Sequence, residues 1–101
     1  MLTSKQRAQL RGLAATEDTI VHIGKGGITD NIVTQMSDAL KARELVKGRV
    51  LENSLLSARE VCDALAEACR AEPVQVIGSK FVLYKRNEQK PRIELVKKAK
   101  K

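Results

Sequence analysis

Residues 19–51, TIVHIGKGGITDNIVTQMSDALKARELVKGRVL, decide the fold. Thr19–Ile23 is short and β-branched, which predicts a strand. Gly24-Lys25-Gly26-Gly27 breaks the pattern at once. Beyond it Ile32, Val33, Met36 and Leu40 recur at helical spacing. Thr29 or Asp30 can cap that helix, and it ends near Arg43. The segment 45–51 alternates again, with Val46, Gly48 and Val50 on one face and Lys47 and Arg49 on the other. A strand–helix–strand unit favours parallel pairing.

The flanks extend this unit on both sides. Thr3-x-x-Gln6 is a capping-box pattern that opens a first helix, with Leu10, Leu13 and Ala14 as its apolar stripe. Arg7 and Arg11 lie one turn apart on a different face. Ser57-x-x-Glu60 opens a third helix that buries Val61, Cys62, Leu65, Ala68 and Cys69 and turns Glu60, Asp63 and Glu67 outward. Pro73 cannot continue it. Two short strands, 74–77 and 81–84, flank Gly78-Ser79-Lys80 as a hairpin. The order α-β-α-β-α-β-β predicts an α/β (α+β) domain with a mixed four-stranded sheet packed with helices. Its expected bounds are 1–86, followed by a basic tail, 87–101, in which Ile93, Leu95 and Val96 are the sizeable apolar residues.

Charge narrows the class of partner. The 101 residues carry a net +7, but eight basic against two acidic side chains in 85–101 account for +6 of it. The remaining body is polarised. Residues 1–51 hold eight basic and five acidic side chains, and residues 52–72 hold two and five. Such a balance suits a polyanion.

Several chemistries are disfavoured. Cys62 and Cys69 stand seven residues apart on one helix, roughly 10 Å of rise, which is beyond disulfide reach. No metal-ligand spacing is present, and His22 is the only histidine. No nucleophile–base pair is visible, so the expectation is a non-enzyme with no cofactor, no metal and no catalytic residue. Neither a signal peptide nor a membrane-length apolar run occurs, which suits a cytoplasmic protein. Phe81 and Tyr84 are the only aromatics, too few for a surface that stacks successive bases.

The glycine loop carries the functional signal. Strand, GxxG and helix together let a backbone approach closely and place free helix N–H groups beside it. Phosphate oxygens suit such a position, and Lys25 adds a full charge. KH domains clamp nucleotides with a GxxG loop in this way. The bare pattern is weak, since at about 7% glycine a chain of this length shows about half a GxxG by chance. Neither the Walker A loop nor the dinucleotide GxGxxG pattern is present.

Several further stretches raise the specificity. Leu2-Thr3-x-Lys5-Gln6-Arg7 with Leu10-Arg11-Gly12-Leu13-Ala14, Ile23-Gly24-Lys25-x-Gly27-Ile28-Thr29, Ala39-Leu40, Glu44-Leu45-Val46-Lys47, Val74-Gln75-Val76-Ile77-Gly78 and Val82-Leu83-Tyr84-Lys85 follow one another in order. In these the chain resembles the CRM domain (chloroplast RNA splicing and ribosome maturation) in its stand-alone bacterial, YhbY-like form. The resemblance covers roughly residues 2–86. It implies the α-β-α-β-α-β-β fold, similar to the C-terminal domain of translation initiation factor 3. It also implies RNA as partner, namely rRNA or precursors of the large ribosomal subunit. A monomer is the default expectation. The resemblance carries the GxxG role onto Gly24, Lys25, Gly26 and Gly27, and a basic-surface role onto Lys5, Arg7, Arg11, Lys25 and Lys47. Thr29, Lys80 at the hairpin tip and Lys85 after the last strand complete the candidate set. Three positions depart from the family pattern: Thr19 where proline is frequent, Gly48 where a β-branched residue is usual, and Arg70 where glycine often ends the third helix. The acidic third helix supports a rival reading, a module that docks a basic ribosomal protein.

Overall fold

The computed structural model describes residues 2–86. The tail 87–101, with Ile93, Leu95 and Val96, lies outside the described residues. The elements are α1 (Ser4–Ala14), β1 (Thr19–Ile23), α2 (Asp30–Arg43), β2 (Leu45–Val50), α3 (Ala58–Cys69), β3 (Glu72–Ile77) and β4 (Lys80–Tyr84). Both capping boxes form. The Gln6 and Glu60 amides donate to the hydroxyls of Thr3 and Ser57, while their side chains accept from the Thr3 and Ser57 amides. Thr29, not Asp30, caps α2: its hydroxyl accepts from the Ile32 amide at 3.2 Å.

The four strands make one mixed sheet in the order β1-β2-β4-β3. β1 and β2 pair in parallel, as their crossover through α2 predicts. The second crossover differs from expectation. β3 runs parallel to β2 but does not pair with it, because β4 inserts between them and is antiparallel to both. This leaves β3 at an edge, where Pro73 is tolerated within the strand. The ladder is irregular between Pro73 and Gln75.

Helices cover both faces of the sheet. α2 and α3 lie on one, burying Met36, Leu40, Val61, Cys62 and Leu65 against Val21, Ile23, Val46, Phe81 and Leu83. α1 covers part of the other, setting Leu10 and Ala14 on Leu45, Val74, Val82 and Tyr84. Both aromatics are therefore in the interior. Two assignments of the helical stripes change. In α1 the buried line is Gln6, Leu10 and Ala14, spaced i, i+4, and Leu13 is 41% exposed. In α3 Ala66 is buried and Ala68 is exposed, because Ala66 stands one residue after Leu65 on the sheet-facing side. Both cysteines are free and buried, and burial pushes the Cys62 thiol up to about 11.

The unusual residue Gly48 has a structural reason, whereas Arg70 carries a backbone cost. Gly48 sits directly opposite Phe81, and a Cβ built on it would lie 2.3 Å from the ring's Cζ. The phenyl ring occupies the space a β-branched residue would take. Arg70 ends α3 in the left-handed conformation, φ 57°, ψ 43°, which costs a non-glycine residue about 1–2 kcal/mol. Glu44 also turns with a positive φ, 65°, and this lets the chain pass from α2 to β2 in a single residue.

Candidate nucleic-acid interface

The interface begins with strand parity. Val46, Gly48 and Val50 point at α2 and α3, so Leu45, Lys47 and Arg49 point at the α1 side. α1 stops at Ala14 and covers only the end of that face holding Leu45 and Tyr84. The rest is open. Across it, Lys47 faces Val82 and Val82 faces Gln75, while His22, Arg49, Lys80 and Ile77 make the next row.

Where α1 ends, a groove of about 260 Å³ opens on the sheet. Arg11, Lys47 and Lys80 stand around it, and Ala14, Ala15, Ile77 and Val82 supply apolar wall. Gln75 is its one uncharged polar side chain. Among the described residues no acidic side chain lines it. Lys47 makes a long bond to the Glu17 carbonyl, 3.5 Å, and the Glu17 carboxylate pairs instead with exposed Arg43 at 3.8 Å. Among the described residues no carboxylate stands within 4.0 Å of Arg11, Lys47, Arg49 or Lys80. Clustered cations without counter-charge create an attractive potential for a polyanion. The acidic side chains Glu60, Asp63 and Glu67 are exposed on α3, beyond the opposite sheet face. The domain therefore has a basic face and an acidic back.

The glycine loop borders the open face. It follows the C-terminal end of β1, and the Leu51 amide donates to the Ile23 carbonyl beside it. The hairpin turn lies at the same end, tied by the Val50 amide to the Ser79 carbonyl at 2.7 Å. Within the loop the Gly27 amide donates to the Gly24 carbonyl at 3.0 Å, closing a four-residue turn with Lys25 and Gly26 at its tip. Lys25 and Gly26 are both exposed. Gly27 has φ +71° and is the position whose conformation requires glycine. Gly24 and Gly26 adopt no positive φ. A Cβ at Gly26 would meet nothing within 4 Å, and one at Gly24 only Asn53 and Leu51 at 3.5 and 3.6 Å. Their value is an unobstructed backbone rather than a special angle.

The structure thus brings Arg11, Lys47 and Lys80 together and places Gly24, Lys25, Gly26 and Gly27 at the adjoining rim. Thr29 stands just behind, its hydroxyl engaged as the α2 cap. Lys5 and Arg7 continue upward along α1 from Arg11. Lys85 is not part of the group. It follows the far end of β4 from Lys80, with its amide bonded to the Glu44 carbonyl. Arg49 is the omission from the candidate set. It is exposed, and its strand spacing from Lys47 already assigns it to the same face. Gln75 and Ile77 were invisible to residue type alone, because only the β3–β4 register brings them to the groove.

The model of the CRS1 / YhbY (CRM) domain matches residues 2–85, the whole of this architecture. The chain belongs to that family. Among relatives of this CRM domain is a Bacillus subtilis protein named the probable RNA-binding protein YqeI, 43% identical over 94% of this chain and 99% of that one. A Haemophilus influenzae protein named as RNA-binding is 31% identical over 87% of this chain and 89% of its own. The solution structure of the hypothetical protein SAV1595 from Staphylococcus aureus superposes with a TM-score of 0.79. It shares 47% identity and covers 95% of this chain and all of that one. Among the described residues of the CRM domain, no group of His, Cys, Asp and Glu is arranged to hold a metal. No helix among them is long and apolar enough to cross a membrane.

Proposed function

We propose that this CRM domain binds structured RNA on its open sheet face, with the Gly24–Gly27 turn gripping the backbone at one edge. The observation that carries this reading is the clustering of Arg11, Lys47 and Lys80 on the sheet face that holds the glycine turn at one edge, with no carboxylate among the described residues beside them. The names of the relatives point the same way. Cations and exposed amides recognise phosphates, and with Phe81 and Tyr84 buried no aromatic platform competes with that mode. We infer further that the RNA is that of the large ribosomal subunit during its assembly, on the strength of the family resemblance, and that a monomer acts in the cytoplasm without catalysis. The 1–86 domain is taken as the RNA-binding unit and the basic segment 87–101 as a separate tail.

The turn is tested at positions that do not strain the backbone. Gly24→Asp with Gly26→Asp adds two negative charges where φ is ordinary and a Cβ has room. The variant is expected to fold normally and to lose at least tenfold in affinity for an rRNA fragment at about 100 mM salt, read by fluorescence anisotropy. That loss follows because each repelled phosphate contact removes about 1 kcal/mol or more. Gly27 is left intact, since its positive φ would mix a folding defect with a binding one. Unchanged affinity would remove the turn from the interface.

A further inference from the structure

Resting on the RNA-binding reading, we propose that the groove between the end of α1 and the sheet receives one unpaired, unstacked nucleotide of the bound RNA.

Size and chemistry both restrict the occupant. About 260 Å³ lies below the roughly 300–1,000 Å³ of drug-sized pockets and cannot admit a helix about 10 Å across. A flat, compact group fits. The wall of Ala15, Ile77 and Val82 is apolar, so the buried part of the ligand is apolar on its faces. Among the described residues the rim holds three cations and no anion, so the same ligand is flanked by negative charge. A nucleobase between two phosphates has both properties. Ile77 is 63% exposed, an isolated apolar side chain on a charged face that such a base would cover.

Each rim residue then has a distinct role. The planar Arg11 guanidinium stacks on the base, a task aromatics perform elsewhere and cannot perform here. The Gln75 amide both donates and accepts, which matches a base edge. Lys47 and Lys80, from β2 and β4, take the two adjoining phosphates. Beyond Lys80 the row through Arg49 to His22 leads across the sheet to the end of β1 and its glycine turn, which gives the strand a path. A paired base has its edge occupied and its faces covered by neighbours, so only an extruded nucleotide can enter.

The test uses the full chain and three RNA hairpins: one with a single bulged nucleotide, the same hairpin with an abasic bulge, and a fully paired hairpin. The wild type is expected to bind the bulged hairpin about tenfold more tightly than the abasic one. Ala15→Phe fills the groove from an exposed, right-handed cap position without changing charge. It is expected to erase that tenfold difference, and a cooperative urea unfolding transition like that of the wild type shows that the variant is folded; a folded variant that keeps the tenfold difference overturns the groove assignment. Gln75→Leu, which keeps the shape but removes the amide, should reduce the difference several-fold. Equal binding of the bulged and abasic hairpins by the wild type overturns the groove assignment while leaving RNA binding standing. Failure to bind any of the three overturns both.

Discussion

Gly48→Val is expected to destabilise the domain by at least about 3 kcal/mol, a large part of the roughly 5–15 kcal/mol that holds an ordinary domain folded. The cause is a single contact. Gly48 and Phe81 are directly opposed across β2 and β4, and the ring lies flat against the glycine. A methyl group alone would sit 2.3 Å from Cζ and 2.8 Å from both Cε atoms. The ring is fully buried between the sheet and the helices, and in a close-packed interior it can move only by displacing its neighbours. Overpacking of this kind commonly costs about 1–3 kcal/mol, and valine adds two more carbons than the methyl case considered. Phe81→Leu alone is also destabilising, because it empties part of that space. The double variant Gly48→Val with Phe81→Leu should be markedly more stable than the sum of the two losses predicts. Urea denaturation of the four proteins measures this coupling directly. Additive losses would show that the ring is not what excludes a side chain at position 48.

The second large effect concerns binding. Replacing Arg11, Lys47 and Lys80 together with glutamine is expected to lower affinity for a structured rRNA fragment at least about a hundredfold near 50 mM salt, if each lost cationic contact is worth about 1 kcal/mol. The slope of log affinity against log salt should fall in magnitude by about 2–3, since roughly one counterion is released per phosphate contacted. Stability should change little, because Arg11 and Lys80 are exposed and Lys47 has only the long bond to the Glu17 carbonyl. Arg59→Gln serves as control: it removes a charge from α3, on the acidic back, and should leave both quantities unchanged. A triple variant with the slope of the wild type would show that phosphates are held elsewhere.

Much of this was legible in the residues. Periodicity placed every element, because each cap and each alternation agrees with the packing that results: Thr3 with Gln6, Ser57 with Glu60, and Val46 with Val50. Long-range geometry was not legible. Insertion of β4 between β2 and β3 depends on which edge the last hairpin docks, and no local pattern encodes that choice. Gly48 looked like a weakness in a strand until its opposite neighbour was known to be Phe81. The site was partly visible for the same reason. Strand parity assigned Lys47 and Arg49 to one face, but only the register of β4 brought Lys80 to them, and only the premature end of α1 left the face open. Lys85 matched a basic motif by sequence order, yet five strand residues carry it to the other end of the sheet. Gly24 and Gly27 looked equivalent, and the backbone angles separate them.

The most direct test of the account is a footprint on the whole domain: amide chemical shifts of the isotope-labelled chain, followed during titration with a structured rRNA fragment at low salt. The account predicts that the shifts concentrate at the Gly24–Gly27 turn, at Arg11 and Ala15, and along Lys47, Arg49, Gln75 and Lys80, while residues 60–67 of α3 stay unmoved. Shifts centred on α3, or none at a salt concentration where polyanions bind basic surfaces, would contradict it.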